Sequence, residues 1–170
     1  IYKKLTSLKR WVVVVECYPG VFEEEIAEGM KLAFNPDHLL LTKDCLKSCK
    51  EIDDLVYPDV TDDRIFGYIT RLNIEQFFDS EKLISAQKKI KTIPNGIILV
   101  IGAGASLFTK ADILIYADMP RWEGQLRFRK NEVSNLGTDN KNLEPSLQYK
   151  RAYFVDWRVA DRLKKKLMEK

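Results

Sequence analysis

The segment Asp118-Met119-Pro120-Arg121-Trp122-Glu123 carries the plainest chemistry in the chain. A carboxylate leaves an apolar run, and a proline then opens a helix bearing Arg121, Arg127 and Arg129. Guanidinium forks match phosphate oxygens bidentately, so this spacing points to an anion site in which Asp118 orients a hydroxyl or a metal. The local alternative is a surface helix with pairs such as Glu123–Arg127 at i, i+4. Further on, Arg151, Arg158 and Arg162 stand seven and four residues apart, which puts them on one face of a continuous helix, with Asp156, Trp157 and Asp161 among them. Phosphate binding by Arg158 and Arg162 and an ion-paired surface face fit that pattern equally. Thr61–Arg71 mixes charges with apolar residues; it offers Arg71 or Asp63 to an acceptor, or else forms a capped turn.

Two glycine-bearing loops complete the candidate site. Gly102-Ala103-Gly104-Ala105 follows an apolar run, and its amides can form an anion nest or simply close a tight turn. The third glycine of a dinucleotide fingerprint is missing, with Leu107 in its place. The other loop, Glu16-Cys17-Tyr18-Pro19-Gly20, has Gly20 as its only glycine, and Glu23-Glu24-Glu25 follow where a phosphate-cradling loop needs Lys and a hydroxyl. Those carboxylates suit a helix N-terminus and repel a triphosphate. Cys17, Cys45, Cys49 and the lone His38 lack the second ligand pair of a zinc site and read as reduced thiols of a cytoplasmic protein; no metal ligands are assigned.

The elements that must position these residues alternate. Trp11–Val15, Ile97–Ile101 and Ile113–Ala117 are short, continuous and β-branched, as strands covered on both faces are. His38–Thr42 and Arg64–Tyr68 are weaker strands. Helices are expected over Phe22–Phe34, about Ser48–Leu55, Ser80–Lys91, Arg121–Lys130 and Lys150–Lys170, and Phe22, Ile26, Met30 and Phe34 form one buried stripe. Val155, Val159, Leu163 and Leu167 form the core-facing stripe of the last helix. This predicts one domain over 1–170, a three-layer α/β/α fold with a mainly parallel five-stranded sheet. Ligands then sit beyond the carboxyl ends of the strands, at Glu16–Gly20, Thr42–Cys45, Gly102–Ser106 and Asp118–Trp122. The polar stretch 131–142 reads as a mobile loop.

Composition excludes several classes. At 45% hydrophobic and 31% charged residues the chain is not disordered, and no run approaches the roughly 20 apolar residues of a membrane span. The net charge of +3 conceals a basic final third, since residues 119–170 carry 13 Lys or Arg against 7 Asp or Glu. That suits an anionic ligand, or a solvated basic helix; without an aromatic stripe it does not describe a nucleic-acid surface. Both ends read as cuts in a longer polypeptide.

Five strings, VVVVECYPGV at 12–21, TDDRIFGYITRL at 61–72, IGAGASL at 101–107, YADMPRWEGQLRFRK at 116–130 and KRAYFVDWRVADR at 150–162, together resemble one family. They are similar to the N-terminal, uridine-kinase-like domain of large bacterial class I mannose-6-phosphate isomerase-like proteins, over nearly the whole chain. The resemblance implies a P-loop-type sheet with an arginine-bearing lid at 121–130, and a degenerate phosphate loop lacking the glycines and lysine that transfer needs. It also implies a covalently attached cupin isomerase domain, which would hold the zinc and the isomerisation chemistry. The domain in hand is then an accessory one that takes a small phosphorylated molecule, a nucleotide with magnesium or a sugar phosphate. Gly20, Gly102 and Gly104 would admit the ligand, and Arg121, Arg127, Arg129, Arg158 and Arg162 would hold its phosphate. The alternatives are an active phosphotransferase, with Asp44 or Asp118 as base toward the acceptor hydroxyl, and a ligand-free docking module.

Overall fold

A computed structural model describes residues 10–169. The apolar runs become four strands: β1 (Arg10–Cys17), β2 (His38–Leu41), β3 (Gly96–Gly102) and β4 (Ile113–Ala117). All pair in parallel, in the order β2-β3-β1-β4. Val13, Val14 and Val15 are fully buried at its centre, with Leu99 and Val100 beside them. The fold is therefore α/β around a parallel sheet.

Contacts divide the chain into two compact units. The sheet unit holds, among the described residues, Arg10–Cys17, Phe22–Cys45 and Asp79–Ala117. It includes helix α1 (Glu23–Phe34), and it owes the stripe Phe22, Ile26, Met30 and Phe34 only partial burial, with Ala27 the one residue of α1 that is fully covered. Asp79 accepts the amides of Glu81 and Lys82 and so starts α3 (Ser80–Thr92), and Arg10 donates to the Ile90 carbonyl in its last turn and to the Ile93 carbonyl just beyond it.

The helical unit holds Tyr18–Val21, Leu46–Phe78 and the residues from Asp118 on. Ser48 and Glu51 form a capping box at the start of α2 (Cys49–Val60), which runs one turn further than its sequence pattern predicts, with Pro58 inside its last turn. Next come α4 (Arg121–Arg129) and α5 (Pro145–Arg151), then a π-helical turn (Ala152–Asp156) and α6 (Trp157–Met168).

Three sequence expectations are corrected here. Arg64–Tyr68 is not a fifth strand: Asp63 caps the amides of Ile65 and Phe66, and the Tyr68 amide turns to the Asp59 carbonyl, so no ladder forms. The stretch 131–142 is pinned rather than loose, with Val133, Asn135 and Leu136 buried. Arg151, Arg158 and Arg162 do not share a face. The π turn adds a residue, roughly 100° of rotation, so Arg151 points into the core while the other two stay half-exposed.

That buried arginine organises the helical unit. Arg151 donates to the Leu136 carbonyl (2.7 Å) and to Asp53 (2.9 Å), and its Nε lies 3.5 Å from Asp156. Asn135 donates to Asp156 (2.7 Å) and to the Gln148 carbonyl (3.0 Å). Lys150, also buried, donates to the carbonyls of Thr61 and Asp63.

Candidate functional site

In the sheet unit the site begins with an oddity of sequence: a glutamate ends an otherwise apolar strand. Glu16 is 2% exposed and sits in register opposite Gly102. A carboxylate buried that deeply needs donors. The loop after β3 supplies them: the Gly104 amide donates to Oε1 at 2.6 Å and the Ser106 amide to Oε2 at 2.8 Å. Glu23, at the start of α1, accepts the Ala103 amide at 3.0 Å. Gly102 and Gly104 make this possible. Both have positive φ, +130° and +76°, and a Cβ on Gly102 would strike the Thr42 hydroxyl. The nest expected at 102–105 therefore exists, and its amides hold two of the chain's own carboxylates.

Burial raises the pKa of Glu16, against the pull of the Ser106 and Gly104 amides. Burial likewise raises Glu23, opposed by the Ala103 amide and the Lys43 cation. The neighbouring Cys17 thiol is also pushed up by burial, with both glutamates adding to it, so it is a poor nucleophile. Asp44 lies exposed in the 3₁₀ turn Thr42–Cys45 and lines a shallow cleft with Cys45, Glu81 and Lys82.

These shifts have a definite sign. Glu16 and Glu23 bind protons more tightly folded than unfolded, so their contribution to stability is full below the ordinary carboxylate pKa of 4.5 and is lost as pH rises through their raised folded values. Asp63 and Glu144, whose pKa values are lowered by the hydrogen bonds they accept, act in the opposite sense. Glu23→Gln removes a buried titrating carboxyl, and with it the charge that adds to the raising of Glu16, while keeping an acceptor for Ala103. The variant is expected to show a flatter decline of the urea midpoint above pH 4.5 than the parent; identical pH profiles would contradict the assignment.

In the helical unit the remaining candidates are each tied to protein groups. Asp118 pairs with Lys164 at 2.5 Å. Arg121 pairs with Asp161 and stacks 5.5 Å over the buried Trp157 ring, while the Tyr18 hydroxyl donates to the same Asp161 at 2.9 Å. Burial pushes the Tyr18 hydroxyl up, so it stays protonated. Arg127 donates to Glu123 and to the Gly20 carbonyl, both at 2.9 Å, fixing α4 against the Tyr18–Val21 loop. Arg129 rests on the exposed Trp122 ring (5.7 Å). Arg158 rests on Tyr153 (4.7 Å) and donates to its carbonyl. Arg162 donates to the Leu72 carbonyl. Gly20, Asp118 and the five arginines thus share the helical unit, while Asp44, Gly102 and Gly104 belong to the sheet unit.

Sequence reasoning missed Glu16 as the occupant of the nest. The available signal was an ionisable residue closing a run of four valines, a position that demands buried donors. Among the described residues no cluster of three or more His, Cys, Asp or Glu forms a metal-binding group, and no helix is long and apolar enough to cross a membrane.

A parallel α/β sheet with a glycine-bearing amide nest is the class these elements define. The model of the family described as a domain of unknown function, DUF8485, matches residues 1–170, and the chain belongs to that family. Neither the curated proteins nor the solved structures contain a match.

Proposed function

We propose that this chain is a kinase-like accessory domain of a mannose-6-phosphate isomerase-type protein, which binds a phosphorylated small molecule without P-loop phosphoryl transfer. The observation that carries the absence of transfer is Glu16: its carboxylate takes up the amides of Gly104 and Ser106, so the glycine loop after β3 does not present them to a nucleotide phosphate. The strand order supports the kinase-like part. The connections from β1 to β2 and from β2 to β3 run in opposite directions along the sheet. Right-handed crossovers in opposite directions would place α1, in the first connection, and α3, in the second, on opposite faces, as a three-layer P-loop-type fold requires.

Anion binding falls to the basic helical unit, where Arg71, Arg129 and Arg158 are the arginines that keep most of their N–H donors to give. Isomerisation and its zinc belong to an attached cupin domain, and magnesium nucleotide would be a poor ligand here.

A thermal-shift panel tests this with Mg·ATP, Mg·UTP, hexose 6-phosphates, ribose 5-phosphate and inorganic phosphate. A phosphomonoester at 100 times its dissociation constant is expected to add about 2.7 kcal/mol, a midpoint rise of a few degrees, with nucleoside triphosphates silent. A shift with Mg·ATP accompanied by turnover would replace this reading with that of a divergent phosphotransferase using Asp44 or Asp118. Silence throughout would leave a docking module.

A further inference from the structure

The helical unit contains a cleft of about 490 Å³ lined by Asp59, Tyr68, Ile69, Arg71, Leu72 and Gln76. Among the described residues Arg71 is the arginine with no hydrogen bond, ion pair or ring contact; Asp63, the other acceptor-binding candidate of its segment, is spent capping Ile65 and Phe66. The backbone that presents Arg71 is nonetheless fixed on both sides. The buried Thr70 donates its amide to the Phe154 carbonyl at 3.0 Å, its hydroxyl accepts the Leu72 amide at 3.1 Å, and Arg162 holds the Leu72 carbonyl. Arg162 thereby brings a second guanidinium next to the same segment, with its buried Nε lacking a partner.

The rest of the lining adds an aromatic ring, an amide and a carboxylate. Tyr68 is 69% exposed, and its backbone is held by a 2.7 Å bond to the Asp59 carbonyl, so the chain presents its ring to the cleft from a fixed backbone position. Gln76 uses Oε1 on the Asn73 amide at 2.8 Å, which leaves its amide N–H donors available. Asp59 offers carboxylate oxygens to hydroxyls and repels phosphate, so the anionic group falls to Arg71.

We propose that this cleft is the binding site for the phosphomonoester of a polyol, with phosphate on Arg71, the ring face on Tyr68 and hydroxyls on Asp59 and Gln76. The assignment rests on the reading of the chain as a binder of phosphorylated molecules and names its site. A sugar phosphate and the ribose-phosphate of a nucleoside monophosphate share this chemistry. A polyphosphate does not, because it brings more negative charge into a cleft that already holds the Asp59 carboxylate.

The test is calorimetric titration of the whole chain with a hexose 6-phosphate, ribose 5-phosphate, uridine monophosphate, the free hexose and inorganic phosphate, repeated on variants. Arg71 is exposed and makes no internal bond, so Arg71→Ala leaves the fold intact. Arg71→Ala is expected to weaken the phosphomonoester about tenfold or more, and Arg71→Lys, which keeps charge without the fork, by less. Tyr68→Ala should weaken the sugar-bearing ligands and leave inorganic phosphate unchanged. Preference for uridine monophosphate or for the sugar phosphates identifies the source, and either supports the site. Loss of binding on Arg129→Ala or Arg158→Ala with Arg71→Ala silent overturns the cleft while the phosphorylated-ligand reading stands. Free hexose binding as tightly as its phosphate also overturns it. Absence of any phosphomonoester binding by the parent chain overturns both.

Discussion

Replacing Arg151 with methionine is expected to cost about 3–5 kcal/mol, enough to unfold much of a marginally stable domain at ambient temperature. The side chain is 5% exposed and joins Leu136, Asp53 and Asp156; Asp156 is itself 1% exposed. Removing the cation leaves a carboxylate buried with only the donors from Asn135 and the weak contact of the Leu136 amide. It also releases the loop that Leu136 anchors. Asp156→Ala should cost less, because the guanidinium keeps Asp53 and the Leu136 carbonyl, although the Asn135 amide loses an acceptor. The double variant should lose less than the two losses combined, because the buried Asp156 charge that Arg151→Met leaves unpaired is then absent. Urea denaturation of the three variants decides this. Single losses below 1 kcal/mol, or strict additivity, would show that the network does not hold the unit.

Glu16→Ala comes second, at about 3 kcal/mol. It strands the Gly104 and Ser106 amides in a buried place and leaves a gap where the carboxylate lay. Glu16→Gln is not benign either: one oxygen can accept one of the two amides, and its NH₂ then faces the other donor. The distinguishing consequence is rescue. Formate or acetate should restore part of the lost stability to Glu16→Ala in a saturable way and do nothing to the parent chain, because only the variant has free inward amides. An alanine variant as stable as the parent, or one indifferent to formate, would mean the amides are satisfied by other groups.

The legible parts of the fold were those with a strong local signal. Val12–Val15, Ile97–Ile101 and Ile113–Ala117 announce themselves because a strand covered on both faces must be apolar throughout. Arg64–Tyr68 carries the same residue types. What decides its fate is whether a neighbouring strand takes up its backbone groups, and a single sequence does not contain that information. The exposure of Phe66 at 70% shows how far the segment departs from a buried strand. The Asn-rich stretch 131–142 looked loose because polar side chains usually meet water; here Asn135, Asp156 and Gln148 meet one another's partners instead. The face assignment of Arg151 failed on one added residue at Ala152–Asp156, which changes the phase of everything after it.

The candidate site was legible in its parts more than in their use. Gly102–Ala105 reads from the sequence as either an anion nest or a tight turn, and the acidic residues near the first loop read as hostile to a triphosphate. The two were not connected, because the reach of Glu16 to Gly104 depends on the β1–β3 register, which a sequence does not print. Likewise the arginines were noticed for their number, and only the structure separates those occupied by carboxylates and carbonyls from Arg71.

Binding without transfer is the central claim, and phosphorus NMR of a single mixture reads both halves. The sample holds the domain, Mg·ATP and a hexose 6-phosphate. The account predicts that the phosphomonoester resonance broadens with added protein while the γ-phosphate integral of ATP stays constant over hours. Decline of that integral with new phosphoryl resonances, or a monoester line that the protein leaves sharp, would contradict it.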